Sequence, residues 1–192
     1  MSEVKPLSFQ LSEEMLGILR DEFNPNKIVT KFSEAIGAEK DRQRVEAVGR
    51  EIFGDYGRNL ARRSLQLGEE YPDRTYEVLL RIIEDTNGYY RFSLLPQRFV
   101  EIAYLGTQDI YVLRIVENNR DRLIYRLDRE DCSTFKILTE TCGEEIANLL
   151  PCRHACLTML ETLHQELMLD AIISQEAEMP REGYCQFMAR RA

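Results

Sequence analysis

The stretch PCRHACLTMLETLHQELMLDAIISQEAEMPREGYCQFMARR, residues 151–191, changes its apolar period part-way along. Over 153–168, Cys156, Met159, Leu160, Leu163 and Leu167 recur at the three- and four-residue steps of an amphipathic helix, with Pro151 near its first turn. Residues 169–176 and 184–190 then alternate around a turn at 180–183, which predicts a closing β-hairpin.

Working towards the N-terminus, 128–150 is ambiguous: Ile137, Ile146, Leu149 and Leu150 suggest helical pieces interrupted at Cys142-Gly143, and 123–127 can add a strand. Residues 89–95, 99–105 and 110–116 are short runs rich in aromatic and β-branched residues. They are separated by Pro96-Gln97 and Gly106-Thr107 and followed by Glu117-Asn118-Asn119, so they predict antiparallel strands in a meander. Before them a helix is predicted over 75–87, with Tyr76, Leu79, Leu80 and Ile83 inward and Asn87-Gly88 as its stop. Val45, Val48, Ile52, Phe53, Tyr56 and Leu60 carry one long helix or two through about Leu67. Gly49, Gly54 and Gly57 fall inside it. Each costs about 1 kcal/mol relative to Ala, so they mark a bend or a close approach of another backbone, with a ligand-contacting face as the alternative.

At the start, Ser12 with Glu13 and Glu14 opens a capped helix through Met15, Leu16, Leu19 and Phe23, stopped by Asn24-Pro25. A second helix over 26–36 places Ile28, Val29, Phe32, Ala35 and Ile36 on one stripe and ends at Gly37. Residues 1–10 read as a loose arm. The expected organisation is an N-terminal helical extension over 1–37 and one domain over 38–192.

The 192 residues include 25 Lys and Arg against 33 Asp and Glu, a net charge of −8 that argues against nucleic acid as a partner. No basic segment followed by an apolar one opens the chain and no stretch approaches 18 apolar residues, so neither a signal peptide nor a membrane span is expected and the location reads as cytoplasmic. In such a reducing compartment the five cysteines, all in the last third, read as thiols or metal ligands rather than disulfides.

The G-x-G-x-x-G, G-x-x-x-x-G-K-[ST], H-E-x-x-H and G-x-S-x-G patterns are absent. His154 and His164 lie about 15 Å apart along one helix, too far to act as a pair, and both read as surface residues. Cys152 and Cys156, one turn apart, can share a soft cation with Cys185 and an oxygen from Glu176 or Glu178, a tetrahedral zinc arrangement; packed thiols are the alternative. Glu176 and Glu178 share a strand face, as acid–base carboxylates would, yet no nucleophile accompanies them. Arg58, Arg62 and Arg63 on one helical face, and Arg190-Arg191, are either ordinary surface charge or contacts for a carboxylate-bearing ligand or acidic partner.

Taken together, PCRHACLTMLETLHQEL, LDAIISQEAEM and GYCQFMARR are similar to the 4-vinyl-reductase (4VR) hydrocarbon-binding domain family, with Pro151-Cys152, Glu176, Gly183, Cys185 and Phe187 at its motif positions. The upstream VGREIFGDYGRNLA and YEVLLRIIEDTNGYYRF resemble the same family and its relatives among TRAPP vesicle-tethering subunits. The likeness spans about residues 45–191, and its specific part is the last 40. The family's metal-binding members carry a further cysteine after the strand glutamate, where Glu178-Met179 stands here, and Cys156-Leu157-Thr158 replaces the glycine-rich start of the last helix.

The resemblance implies an α+β fold of helices on an antiparallel sheet, a buried pocket for a small hydrophobic or tetrapyrrole-like molecule, and a homodimer. The pocket expected between sheet and C-terminal helix is lined by Phe92, Tyr104, Met159, Leu163 and Phe187. The function so implied is non-catalytic binding, in pigment handling or photosynthetic complex assembly. A dimeric scaffold resembling the tethering subunits is the alternative; an enzyme acting on a tetrapyrrole vinyl group would need a hydride or proton donor that no residue evidently supplies.

Overall fold

The computed structural model describes residues 7–37 and 41–192. The first six residues of the expected arm, and residues 38–40 ahead of the long helix, lie outside them.

The chain is α+β, as expected. Helix α1 (Glu13–Glu22) starts where the Met15 amide donates to Ser12 Oγ, and α2 (Pro25–Ile36) where the Asn26 amide donates to Asn24 Oδ1 at 2.9 Å. Pro25, expected only as a stop, occupies the first position of α2, where its missing N–H costs nothing. α1 packs against α5 (Leu94–Thr107), and α2 against α3 (Arg42–Glu70) and α6 (Ser133–Cys142).

α3 is a single helix of 29 residues. Its glycines mark the close approach of another backbone: a Cβ on Gly57 would stand 2.1 Å from the Ala155 carbonyl oxygen, and one on Gly49 2.7 Å from Pro151 Cβ. The partner is α8 (Arg153–Glu166), which lies along α3 with almost no side chain between them.

α4 (Arg74–Asp85) is capped by Asp73, whose carboxylate accepts from the Thr75 and Tyr76 amides at 3.0 and 3.2 Å. Leu80, expected inward, faces solvent.

The predicted meander is corrected here. Residues 89–95 contain a turn and the start of α5, 99–105 lie inside α5, and only the end of 110–116 enters a strand. α5 is buried on nearly every side, from Leu95 to Thr107, so even its polar Gln97 and Arg98 lie inward, no solvent face marks the helical period, and its aromatic and β-branched content imitates a strand. Pro96 lies in its first turn, a helix-opening position.

The sheet is antiparallel with order β1-β2-β4-β3. The hairpin of β1 (Arg114–Asn118) and β2 (Arg122–Asp128) joins the hairpin of β3 (Ala171–Ala177) and β4 (Tyr184–Arg191) through β2 and β4, with Tyr125 opposite Phe187 and Leu127 opposite Cys185. Tyr125, Leu127, Cys185 and Phe187 are buried beneath the helices. A single turn, α9 (Met179–Glu182), links β3 to β4 and ends at Gly183, whose φ of 77° favours glycine. The ambiguous segment resolves into α6 and the short α7 (Glu144–Ala147), separated at Gly143.

Arg98 is fully buried on α5. It donates to Asp73 at 2.9 Å and to the Gly68 and Tyr71 carbonyls at 2.8 and 2.9 Å, and stacks 4.0 Å from the Tyr76 ring. Such a charge is tolerated only because its N–H groups are answered.

Candidate functional site

A cavity of about 40 Å³ lies between the N-terminal half of α8 and the sheet. α3 contributes Tyr56 and Leu60, α5 contributes Tyr104 and Thr107, and α8 contributes Ala155, Cys156 and Met159. The strands add Leu127, Cys185 and Phe187, α6 adds Phe135, and α9 adds Met179.

Tyr104, Met159 and Phe187 therefore line it as expected, whereas Phe92 and Leu163 do not. Leu163 is buried in the core. Phe92 sits beside His164, with ring centroids 6.1 Å apart, and borders a different cleft.

Cys152, Cys156 and Cys185 do reach the cavity, and Cys132, which belongs to no motif, joins them on its wall. Glu176 is exposed and bonds Ser174, away from the cavity. Glu178 is half-exposed and lies 3.9 Å from both Arg153 and Arg181. Among the described residues, no group of three or more His, Cys, Asp or Glu side chains is placed to hold a metal ion. The expected set of Cys152, Cys156, Glu176 and Cys185 thus does not come together around one ion, because its oxygen ligand lies elsewhere. The cavity thiols are held protonated.

That protonation follows from burial. It pushes the Cys156 thiol up to about 11 and Cys185 up to about 12, and lifts Cys132 and Cys152 further; neighbouring sulfurs add to the effect at Cys132, Cys152 and Cys185. The thiols are neutral, polarizable wall rather than nucleophiles. Burial likewise raises Tyr104 and Tyr125, whose hydroxyls bond at 2.9 Å. Gln108 Nε2 donates to Thr134 Oγ1 at 3.3 Å and Thr107 Oγ1 to the Ala103 carbonyl at 2.7 Å, so the polar wall is largely satisfied.

Arg153 stands at the margin and is engaged by Glu46, which accepts from it at 3.0 Å and is 3.0 Å from His154 Nε2. Burial opposes the charge on Glu46, but the Arg153 bond and the two cationic neighbours outweigh it and hold the carboxyl low. Burial lowers His154, against the pull of Glu46.

His164, expected at the surface, is buried: its Nδ1 bonds the Leu160 carbonyl at 2.8 Å, its Nε2 has no partner, and burial lowers its pKa. Arg58, Arg62 and Arg63 form ion pairs with Asp55, Glu166 and Glu22.

The chain matches no protein-family model, no curated protein and no solved structure. Among the described residues, no helix is long and apolar enough to cross a membrane.

Proposed function

We propose that this protein is a non-catalytic, cytoplasmic binding domain for a small hydrophobic molecule, held in the thiol-lined cavity. The observation that carries this reading is the wall itself: Leu60, Phe135, Met159, Phe187 and four neutral thiols, with the tyrosine hydroxyls already paired. Burying an apolar ligand there yields about 25 cal/mol for each Å² removed from water, and the charged residue on the lining, Arg153, is already engaged by Glu46. Five cysteines with no disulfide among them suit a reducing compartment.

Room for about 40 Å³ corresponds to roughly three water-sized groups, so the ligand is small or displaces flexible side chains such as Met159 and Met179. The tetrapyrrole-like ligand and pigment-handling role suggested by the resemblance require that widening.

With no tryptophan in the chain, a naphthylamine probe can be followed by fluorescence without an indole background. Saturable enhancement, lost in Cys156→Leu, which fills the cavity, is the expected result. A folded wild-type protein that gives no enhancement, no thermal shift with a series of small aromatics and no retained ligand in native mass spectrometry sinks the reading.

A dimeric scaffold is the second reading. It is favoured by the exposed Val78 and Ile82 on α4, which with Tyr90 and Leu94 line an open apolar groove. A light-scattering mass of one chain removes its support.

A further inference from the structure

Beyond the C-terminal end of α8 lies a second cleft, open and polar, of about 540 Å³. Three elements distant in sequence each bring one arginine to it: Arg91 from the turn after α4, Arg120 from the β1–β2 turn, and Arg191 from the end of β4. Elsewhere, Arg50, Arg58, Arg62, Arg63, Arg98 and Arg153 each find a carboxylate, while Arg20, Arg42, Arg74, Arg81 and Arg190 are scattered singly without one among the described residues. Among the described residues Arg91, Arg120 and Arg191 have no such partner, in a chain whose net charge is −8. The one acidic side chain at the cleft is that of Asp170.

Three guanidinium groups with a single acidic side chain leave the cleft locally positive, and guanidinium forks match phosphoryl oxygens bidentately. Aromatic rings border the cleft. The Arg120 guanidinium stands 4.9 Å from the centre of the half-exposed Tyr89 ring, and Phe92 lines the wall nearby. A bare inorganic ion would leave those rings unused.

The geometry points to a binding site for a phosphate monoester carried on a planar organic group, with Arg91, Arg120 and Arg191 on the phosphoryl oxygens and Tyr89 and Phe92 beside the ring. The site shares no residue with the thiol-lined cavity, and its success or failure is independent of that reading. The monoester has two sources, a soluble metabolite or a phosphomonoester lipid headgroup, and one set of measurements separates them.

Full-length protein is titrated calorimetrically with phenyl phosphate, inorganic phosphate and benzoate, and sedimented with phosphatidylcholine vesicles with and without phosphatidic acid. Phenyl phosphate is expected to saturate, to outbind inorganic phosphate and benzoate, to weaken with salt, and to lose at least about tenfold in affinity in Arg120→Gln/Arg191→Gln. Both residues are exposed, so this variant keeps its fold, which circular dichroism checks. Arg58→Gln, remote from the cleft, leaves the affinity unchanged. Arginine-dependent sedimentation with phosphatidic acid vesicles, and no saturation by phenyl phosphate, assigns the monoester to a lipid. Absence of saturable binding to every probe, equal affinity in the double variant, or benzoate binding as tightly as phenyl phosphate overturns the proposal.

Discussion

The two ends of α8 differ in what they do to ionisable groups. Around Cys156, burial drives the four thiols and the tyrosines of the cavity wall towards their neutral forms, and even hydroxyls pair with each other. About 18 Å further along, beyond Met168, three arginines stand in water without a carboxylate. Residue type alone does not make this contrast, since Arg98 is also an arginine and is fully enclosed, paired and stacked. Access to water decides it: where solvent is excluded a charge survives only with a complete set of partners, and where solvent remains it can wait for one.

The largest test is Gly57→Leu. Because a Cβ there meets the Ala155 carbonyl, α8 must lift from α3, disturbing both ends together; we expect a loss of about 3 kcal/mol or more in urea denaturation. A loss under about 1 kcal/mol would show that the seam yields and that the two ends are not held by it.

Tyr125→Phe acts at the buried end alone, removing the partner of the Tyr104 hydroxyl at a cost of about 1 kcal/mol by the same measurement.

Glu101 on α5 asks whether burial neutralises carboxyls as it does thiols. Burial raises it to about 7, although the Gln97 side chain donates to it at 2.6 Å. Its folded value exceeds the unfolded one of 4.5, so the contribution is fully present below that pH and is lost as pH rises through about 7. Glu101→Gln should therefore stabilise at pH 8, by about 1 kcal/mol, and change nothing at pH 4. An equal effect at both pH values would refute the shift.

The smallest effect is expected at the wet end: Arg120→Gln/Arg191→Gln should alter stability by no more than about 0.5 kcal/mol, in either direction.

The features most legible in the sequence were those decided by local chemistry. Ser12 and Asn24 announce their helices through caps, and the change of period after Met168 announces the closing hairpin. The glycines of α3 were readable as a close approach, though Pro151 and α8 as the partner were not. α5 was misread because tertiary burial on all sides erases the polar face that distinguishes a helix.

The candidate sites follow the same rule. Met159 and Phe187 lie on elements whose inward face the pattern gives, whereas Tyr104 lies on α5, which the pattern reads as strands. Cys132 and Arg120 reach their sites from turns, where no period exists to orient them. The clustering of cysteines in the last third was the one signal for a thiol-lined wall; only the fold brings Arg91 and Arg120 to Arg191.

The glycine seam also sorts the walls of the cavity by compliance. Where α3 meets α8 the backbones touch at Gly57 and Ala155, so the two helix axes there are a fixed jamb and only the side chains they carry can move. The opposite side is hung on a single turn, α9, whose Met179 has three rotatable bonds and a short hinge ending in a left-handed glycine. Any widening of the cavity would therefore meet least resistance on the α9 side, with the long helix as the post against which that door would move.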